Sequence, residues 1–264
     1  MRGAAPTFHR AVPRRTLLKA LYGTLAALTI AACDRADSGA APTESAADPR
    51  LALVPDSLGA PSASFSVAGA SAAAAPSGRK VLLFHSDPNQ VAYVRSSLAA
   101  TGLFAAEDIA ALGIGSTPPT LEQLAAYDCA IVWTSVAPAN PAGNGDRLRQ
   151  YVDAGGGVVL LPFAYSERSD PWEMQGGIMA DGYSPLDLST TRETVFPRSL
   201  NFATALASDP VLEGVADFTF GGNSTYLALT LDPGATLVAS DNFGAPLIAM
   251  SRSRRVAGIN VYPG

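Results

Sequence analysis

The residue types best suited to chemistry occur together directly after an apolar run. His85, Ser86 and Asp87 are the types found in nucleophilic triads. Three consecutive residues cannot aim their side chains at one another, because alternate residues of a strand point to opposite faces. His85 could instead reach Ser166 across neighbouring strand ends, with Asp87 nearby, and such a pair would suit a hydrolase. The alternative is that His85, Asp87 and Asn89 form only a polar strand end and a helix cap.

The sequence predicts no metal site and no cofactor. The carboxylates between residues 165 and 198 lack the spacing of an EF-hand loop, and a solvated acidic loop is the simpler interpretation. They are Glu167, Asp170, Glu173, Asp181 and Asp187. No glycine-rich phosphate loop follows the first predicted strand, so no nucleotide is indicated. Cys129 begins a buried strand, where a thiol behaves as a small hydrophobic side chain.

If the domain binds a ligand, we expect the loops at the strand ends to supply the contacts. The candidate ligand-binding residues are His85, Ser86, Asp87, Thr134, Ser135, Tyr165, Ser166, Glu167 and Trp172. The aromatic rings of Tyr165, Trp172 and Tyr183 could stack on a sugar or peptide, or they could pin a long loop to the domain. Farther along the chain, the arginines of residues 252–255 are expected at the solvated tip of a turn.

The apolar runs indicate the elements that would position these loops. Strands are predicted at 81–84, 109–114, 129–133 and 158–161, and helices at 89–100, 121–126 and 146–154. Thr120 is the expected N-cap of the second helix, and the asparagine-, proline- and glycine-rich stretch up to Gly145 is expected to be a loop. Alternating strands and helices indicate an α/β fold with a doubly wound, mainly parallel sheet.

After residue 161 the pattern weakens. Residues 165–198 show no clear period, and a segment of that length is expected to be a lid or a binding loop. Further strands are predicted at 211–220, 236–239, 246–250 and 256–261, with the last two joined as a hairpin. A doubly wound sheet needs helical cover on both faces, and no helix follows the last strand. We therefore expect a C-terminally truncated product with one sheet face poorly covered near its end.

The N-terminus has the features of an export signal. Residues 1–32 contain five basic and no acidic residues, and the apolar run at 20–32 is too short to span a bilayer. Its end, Ile30-Ala31-Ala32-Cys33, resembles the lipobox of bacterial lipoproteins, which implies a lipid such as palmitate on Cys33; an incidental cysteine is the alternative. Arg14-Arg15 and the residues after them resemble a twin-arginine signal, although two arginines could simply supply charge.

Composition separates a tether from the folded domain. Residues 34–78 consist mostly of Ala, Ser, Pro, Gly and Thr, which cannot bury enough apolar surface to offset the entropy of ordering the chain. The chain thus divides into a signal peptide (1–32), a lipidated cysteine with its tether (33–78) and a folded domain (79–264). Beyond the signal there are 13 basic and 23 acidic residues, a formal charge of −10. Nucleic acid is excluded as a partner by this charge.

Several segments resemble the class I glutamine-amidotransferase-like superfamily, and its ThuA-like branch in particular. They are Tyr127-Asp128-Cys129-Ala130-Ile131-Val132-Trp133, Tyr151-Val152-Asp153-Ala154-Gly155-Gly156-Gly157-Val158-Val159, Asp209-Pro210-Val211-Leu212-Glu213-Gly214-Val215, Pro246-Leu247-Ile248 and Arg255-Val256-Ala257-Gly258. The resemblance covers residues 79–264. It implies a flavodoxin-like sheet, with any site beyond the carboxyl ends of the strands.

The sequence departs from the catalytic pattern of this superfamily. An active member carries a Cys nucleophile on a strand-to-helix elbow, with a His and a Glu supplied later in the chain. The corresponding segment here, Pro162-Phe163-Ala164-Tyr165-Ser166, has no Cys and no flanking glycines, and no His follows it.

These observations predict a lipid-anchored, non-catalytic binding or structural domain of the bacterial cell envelope. It would lie in the periplasm or on the cell surface, held to the membrane through the lipid on Cys33. A carbohydrate or an envelope protein is the expected kind of ligand. The alternative is a hydrolase acting on carbohydrate or another envelope substrate through His85 and the strand-end loops.

Overall fold

The computed structural model describes residues 78–167, 172–180, 182–189, 192–193, 198–201, 205, 209–212, 219–220 and 226–261. In chain order the strands are β1 (Val81–His85), β2 (Ile109–Gly113), β3 (Cys129–Trp133), β4 (Gly157–Leu160), β5 (Arg192–Glu193), β6 (Arg198–Asn201), β7 (Thr219–Phe220), β8 (Tyr226–Leu227), β9 (Thr236–Asp241), β10 (Pro246–Met250) and β11 (Val256–Ile259). The α-helices are α1 (Val91–Ala99), α2 (Leu121–Ala125) and α3 (Pro141–Asp153). Within this part of the chain, no helix has the length and apolar character needed to cross a membrane.

The main sheet has the strand order β2-β1-β3-β4-β11-β10-β9-β6-β7. Strands β2, β1, β3, β4 and β11 run parallel to one another, and β10, β9, β6 and β7 extend the sheet in antiparallel fashion. The predicted flavodoxin-like α/β fold is confirmed by this order. Strands β5 and β8 form a separate antiparallel pair.

Side chains of alternate strand residues enter two apolar cores, one on each face of the sheet. On one face, α1 contributes Val91, Val94 and Leu98 to the first core. On the other face, α2 contributes Leu124, and α3 contributes Leu148 among others. The continuous apolar runs of the parallel strands follow from this arrangement, because each of these strands is covered on both sides.

The second and third helices begin with side-chain caps. Thr120 caps α2 as predicted, in a capping box in which its hydroxyl accepts from the Gln123 N–H while the Gln123 side chain accepts from the Thr120 N–H. The predicted loop up to Gly145 is partly wrong, because α3 already begins at Pro141 behind the cap Asn140.

The glycine at position 145, inside α3, has a tertiary cause. Glycines disfavour helix interiors, but a Cβ atom at Gly145 would lie 1.7 Å from the backbone oxygen of Gln175. The helix therefore needs a glycine at that position, because the chain of the long segment passes directly over it.

The expectation of a poorly covered sheet face near the last strand is wrong. Strand β11 lies inside the sheet between β4 and β10. Ala257 and Ile259 are buried in the core on the α1 face, which also holds Val211 and Leu212. On the other face Tyr165, Pro185 and Leu186 lie directly over Gly258. Segments from before the strand supply this cover, so a helix after it is not needed.

The strand predicted at 211–220 is also wrong at its beginning. Pro210–Leu212 is a 3-10 turn and Thr219–Phe220 is a strand, whereas residues 213–218 lie outside the described residues. Asp209 explains the turn, because its carboxylate accepts a hydrogen bond from the Val211 N–H at 3.0 Å and so fixes the chain locally.

Candidate functional site

The candidate site lies where the sheet topology reverses. The chain leaves β1 towards its neighbour β2 and later returns to β3 on the other side of β1. The loops after β1 and β3 lie at the carboxyl edge of the sheet, which is the usual ligand position in open α/β sheets, and the position between them is called the crevice below. Ser86 and Asp87 lie on one side of this crevice, and Thr134 and Ser135 lie on the other.

The polar groups of these two loops are hydrogen-bonded to each other. Ser86 Oγ donates to the Val136 carbonyl oxygen at 2.6 Å, and Ser135 Oγ donates to Asp87 Oδ2 at 2.7 Å. Asp87 Oδ1 accepts from the Asn89 N–H at 2.9 Å and caps a 3-10 turn at Pro88–Gln90. The interpretation of Asp87 and Asn89 as a helix cap is confirmed. The bonds of Ser86 to Val136 and of Ser135 to Asp87 join the two loops.

His85 is buried beneath this hydrogen-bonded group. Its ring stacks on Trp133, with centroids 5.3 Å apart and an angle of 22° between the planes, and Trp133 Nε1 donates to the Asp87 carbonyl oxygen at 3.2 Å. Burial lowers the pKa of His85 from its usual value of 6.5, and Asp87 opposes this shift by less. His85 Nδ1 has no hydrogen-bond partner among the described residues. Burial therefore favours the neutral form of the imidazole, which packs against Trp133.

Ser166 is not arranged as a nucleophile. Residues Pro162–Tyr165 form a buried 3-10 turn, and Ser166 follows with an ordinary φ of −89°. A nucleophile elbow needs a strained backbone, whereas the non-glycine residues with positive φ in the described ranges are Asn140 and Arg254. Ser166 is buried, and the described contacts include no hydrogen bond between it and His85. Among the described contacts, His85 and Ser166 are therefore not joined as a base and a nucleophile.

The aromatic side chains of the long segment pack against the body of the domain. Tyr165 is fully buried, which raises the pKa of its phenol, and the neighbouring Ser184 lowers it by less. Trp172 meets Phe163 edge to face, with centroids 5.0 Å apart. Tyr183 Oη donates to Asp153 Oδ1 at 2.5 Å. These contacts pack the described part of the segment against the domain, as in the alternative that the aromatic side chains pin the loop.

Two residues near the strand ends are not among the individually predicted ligand-binding residues. Val136 lies in the loop 134–140, which is expected to supply contacts, and is an exposed apolar side chain with 46% of its surface accessible. Asn144 is fully buried in the first turns of α3, and its Nδ2 donates to the carbonyl oxygens of Gly115, Ala139 and Asn140. An Asn-Pro pair is a helix-start signal, and it could have located α3 and hence Asn144.

The carboxylates of the long segment do not form a metal site within the described residues, where no group of three or more His, Cys, Asp or Glu side chains could hold an ion. Glu167 is exposed, whereas Glu173 is buried and accepts from Gln175 Nε2 at 2.7 Å. Asp170 and Asp181 lie outside the described residues, as does Cys33. Cys129 is the first residue of β3 and is buried, as expected of a structural thiol.

The arginine-rich turn is more than a solvated tip. It joins β10 to β11 as predicted, and Arg252 is exposed. However, Arg254 Nη2 donates to both oxygens of Asp209, at 2.9 and 2.8 Å, and Arg255 Nη1 donates to the Gly155 carbonyl oxygen at 2.7 Å. These two side chains tie the turn to distant parts of the chain.

No protein-family model and no curated protein matches the chain. Solved structures with a similar fold include a ThuA-like protein from Bacteroides uniformis, with 17% identity, a TM-score of 0.46, and coverage of 74% of this chain and 85% of that one. A cytoplasmic protein from Salmonella typhimurium has 13% identity, a TM-score of 0.45, and coverage of 68% and 86%.

An exo-β-1,4-mannosidase from Opitutaceae bacterium strain TAV5 is also similar, with 16% identity, a TM-score of 0.41 and coverage of 70% of this chain. The chain spans only 31% of the mannosidase. The structural neighbours thus include a protein of the ThuA-like type that the sequence resembles. The fold assignment itself rests on the strand order and on the helices that cover each sheet face.

Proposed function

We propose that this chain is a lipid-anchored, non-catalytic binding domain of the bacterial cell envelope. The carrying observation is the state of the crevice between β1 and β3. Ser86 donates to the Val136 carbonyl, Ser135 donates to Asp87, and the His85 ring is stacked on Trp133. A catalytic base must lie within hydrogen-bond reach of the proton that it takes, and the described contacts include no hydrogen bond from His85 to a serine hydroxyl.

The anchoring part of the proposal is supported by the sequence. The basic N-terminus and short apolar run followed by Ile30-Ala31-Ala32-Cys33 match the layout of a lipoprotein signal. Cys33 is separated from the first described residues by a segment poor in large apolar side chains. A chain of about 45 such residues has a root-mean-square reach of roughly 40 Å, which would let the domain meet ligands away from the membrane.

The anchor is tested by substitution of Cys33 with serine. We expect Cys33→Ser to leave the domain folded and to move it from the membrane pellet to the soluble fraction of the cells. The matched control is Cys129→Ala, which removes the other thiol of the mature chain and should remain with the membranes. If Cys33→Ser still pellets with the membranes, the lipid anchor is refuted.

The non-catalytic part is tested with the full chain carrying Cys33→Ser and a panel of glycoside, ester and amide substrates with chromogenic leaving groups. We expect no turnover above the level of a mock purification. Activity that is lost in both His85→Gln and Ser166→Ala, while each variant keeps the unfolding midpoint of the parent within a few degrees, would establish the hydrolase instead. Activity above the mock level that both variants retain would also refute the non-catalytic proposal and would point to catalysis by other residues.

A further inference from the structure

The outer strand β2 has an unprotected edge. Among the described residues it pairs on one side only, with β1. Its sequence, Ile109-Ala110-Ala111-Leu112-Gly113, contains no charged residue and no proline. Natural proteins commonly place lysine, proline or a bulge on an edge strand to prevent pairing with another chain, and none of these devices is present here.

The backbone groups that face outward can be assigned from the ladder. Ile114 N–H donates to the His85 carbonyl oxygen at 2.7 Å, so Ile114 faces β1. Because backbone groups of successive strand residues alternate in direction, Leu112 and Ala110 also face β1, whereas Ala111 and Gly113 face away from it. The outward N–H of Ile109 already donates to Ala106. The free edge therefore consists of the backbone N–H and C=O groups of Ala111 and Gly113, together with the C=O of Ile109.

We propose that this edge pairs with the β2 edge of a second copy of the chain in antiparallel orientation, centred on Ala111. In that register Ala111 of each copy exchanges both of its backbone hydrogen bonds with Ala111 of the other. Gly113 N–H of each copy donates to the Ile109 carbonyl of the other. The pattern is its own complement about a two-fold axis, which closes the assembly as a dimer. This inference is independent of the proposed function.

The charges beside β2 favour pairing with a second copy of the chain in antiparallel orientation. Glu107 and Asp108 directly precede the strand. Antiparallel pairing about Ala111 separates the two Asp108 residues by roughly 20 Å, at about 3.4 Å per residue, which exceeds the Debye length of about 8 Å at physiological salt. It places them opposite the uncharged residues 114–115 of the other copy. Parallel stacking of two copies would instead bring the acidic residues side by side, which is unfavourable.

The test compares Ala111→Pro with Ala111→Ser in the full chain carrying Cys33→Ser. Proline removes an outward N–H without touching the β1–β2 ladder, and edge strands tolerate it for that reason. Serine keeps the N–H. By sedimentation equilibrium we expect a reversible dimer for the parent and for Ala111→Ser, and a dissociation constant at least tenfold higher for Ala111→Pro. A parent that stays monomeric up to high concentration, or a dimer that survives Ala111→Pro, would overturn the proposal.

Amide hydrogen exchange keeps the test decisive if Ala111→Pro does not fold. In the chain carrying Cys33→Ser, the N–H groups of Ala111 and Gly113 should exchange more slowly as the protein concentration rises. Those of Ala110 and Leu112, which bond β1, should be protected at every concentration. If Ala111 and Gly113 exchange at a rate that does not depend on concentration, the edge is either free or covered by the chain itself, and the dimer is refuted.

Discussion

Replacement of Arg254 with alanine should destabilise the domain although the residue lies on a surface turn. Arg254 Nη2 donates to both carboxylate oxygens of Asp209, and the two side chains are 46% and 5% accessible. Asp209 also accepts from the Val211 N–H, which holds the Pro210–Leu212 turn. Val211 and Leu212 belong to the core on the α1 face. Loss of the guanidinium therefore leaves a nearly buried carboxylate with reduced compensation beneath that core.

The size of the effect follows from the burial of the two partners. Breaking a fully buried ion pair costs about 3–5 kcal/mol, whereas an exposed pair contributes at most about 1 kcal/mol. One partner is buried and the other is half exposed, so we expect a loss of about 2 kcal/mol in the free energy of unfolding. For a domain of this size that corresponds to a fall of roughly 4–8 °C in the unfolding midpoint.

The matched control is Arg252→Ala, which makes the same change of net charge in the same turn at an exposed residue. We expect it to change the free energy of unfolding by less than about 0.5 kcal/mol. Urea unfolding followed by circular dichroism and by tryptophan fluorescence compares the parent with both variants. Equal midpoints for Arg254→Ala and Arg252→Ala would refute the structural role of the Arg254–Asp209 pair.

Three further predictions concern buried groups. Because burial lowers the pKa of His85 below 6.5, the unfolded chain binds a proton on His85 before the folded chain does as the pH falls. The free energy of unfolding should therefore be highest above about pH 7 and decline below pH 6.5. Urea unfolding at pH 7.5 and 5.5 should show a smaller decline for His85→Gln than for the parent, and an equal decline would contradict this prediction. Gly145→Ala, normally stabilising in a helix by up to about 1 kcal/mol, should instead lower the unfolding midpoint because its Cβ would lie 1.7 Å from Gln175 O; a raised midpoint would disprove that packing. Cys129 should react with iodoacetamide only as fast as the domain opens, and labelling within the mixing time would show that the thiol is accessible.

Much of the fold could be predicted because its strands carry strong local signals. The continuous apolar runs at β1, β3 and β10 have few alternatives to buried strands, and the structure places β3 and β10 at the predicted residues. Thr120 could be assigned as a cap because the side chain that satisfies the helix end lies within a few residues of it. The alternation of strands and helices indicates a doubly wound α/β sheet, and the flavodoxin-like order is implied by the resemblance to the amidotransferase-like superfamily.

The remaining features depend on contacts between residues far apart in the sequence. Gly145 is tolerated in α3 because Gln175, thirty residues later, lies against it. Arg254 is held by Asp209, 45 residues earlier. The cover of β11 comes from Val211, Tyr165 and Leu186, none of which shows a helix or strand period that would reveal this role. Local patterns contain no information about such pairings.

The candidate site shows the same division. His85, Asp87, Thr134 and Ser135 could be placed at strand ends, because each follows an apolar run directly. Their mutual hydrogen bonds and the stacking of His85 on Trp133 could not be foreseen, since they depend on the distance between β1 and β3 and on the path of each loop.

The most direct test of the proposed anchored domain is mass spectrometry of the protein extracted from membranes with detergent. We expect the mature chain to begin at Cys33 and its N-terminal peptide to carry a lipid that thioether- and ester-cleaving treatments remove. An N-terminal peptide that begins elsewhere, or one that begins at Cys33 with an unmodified thiol, would contradict the lipid anchor.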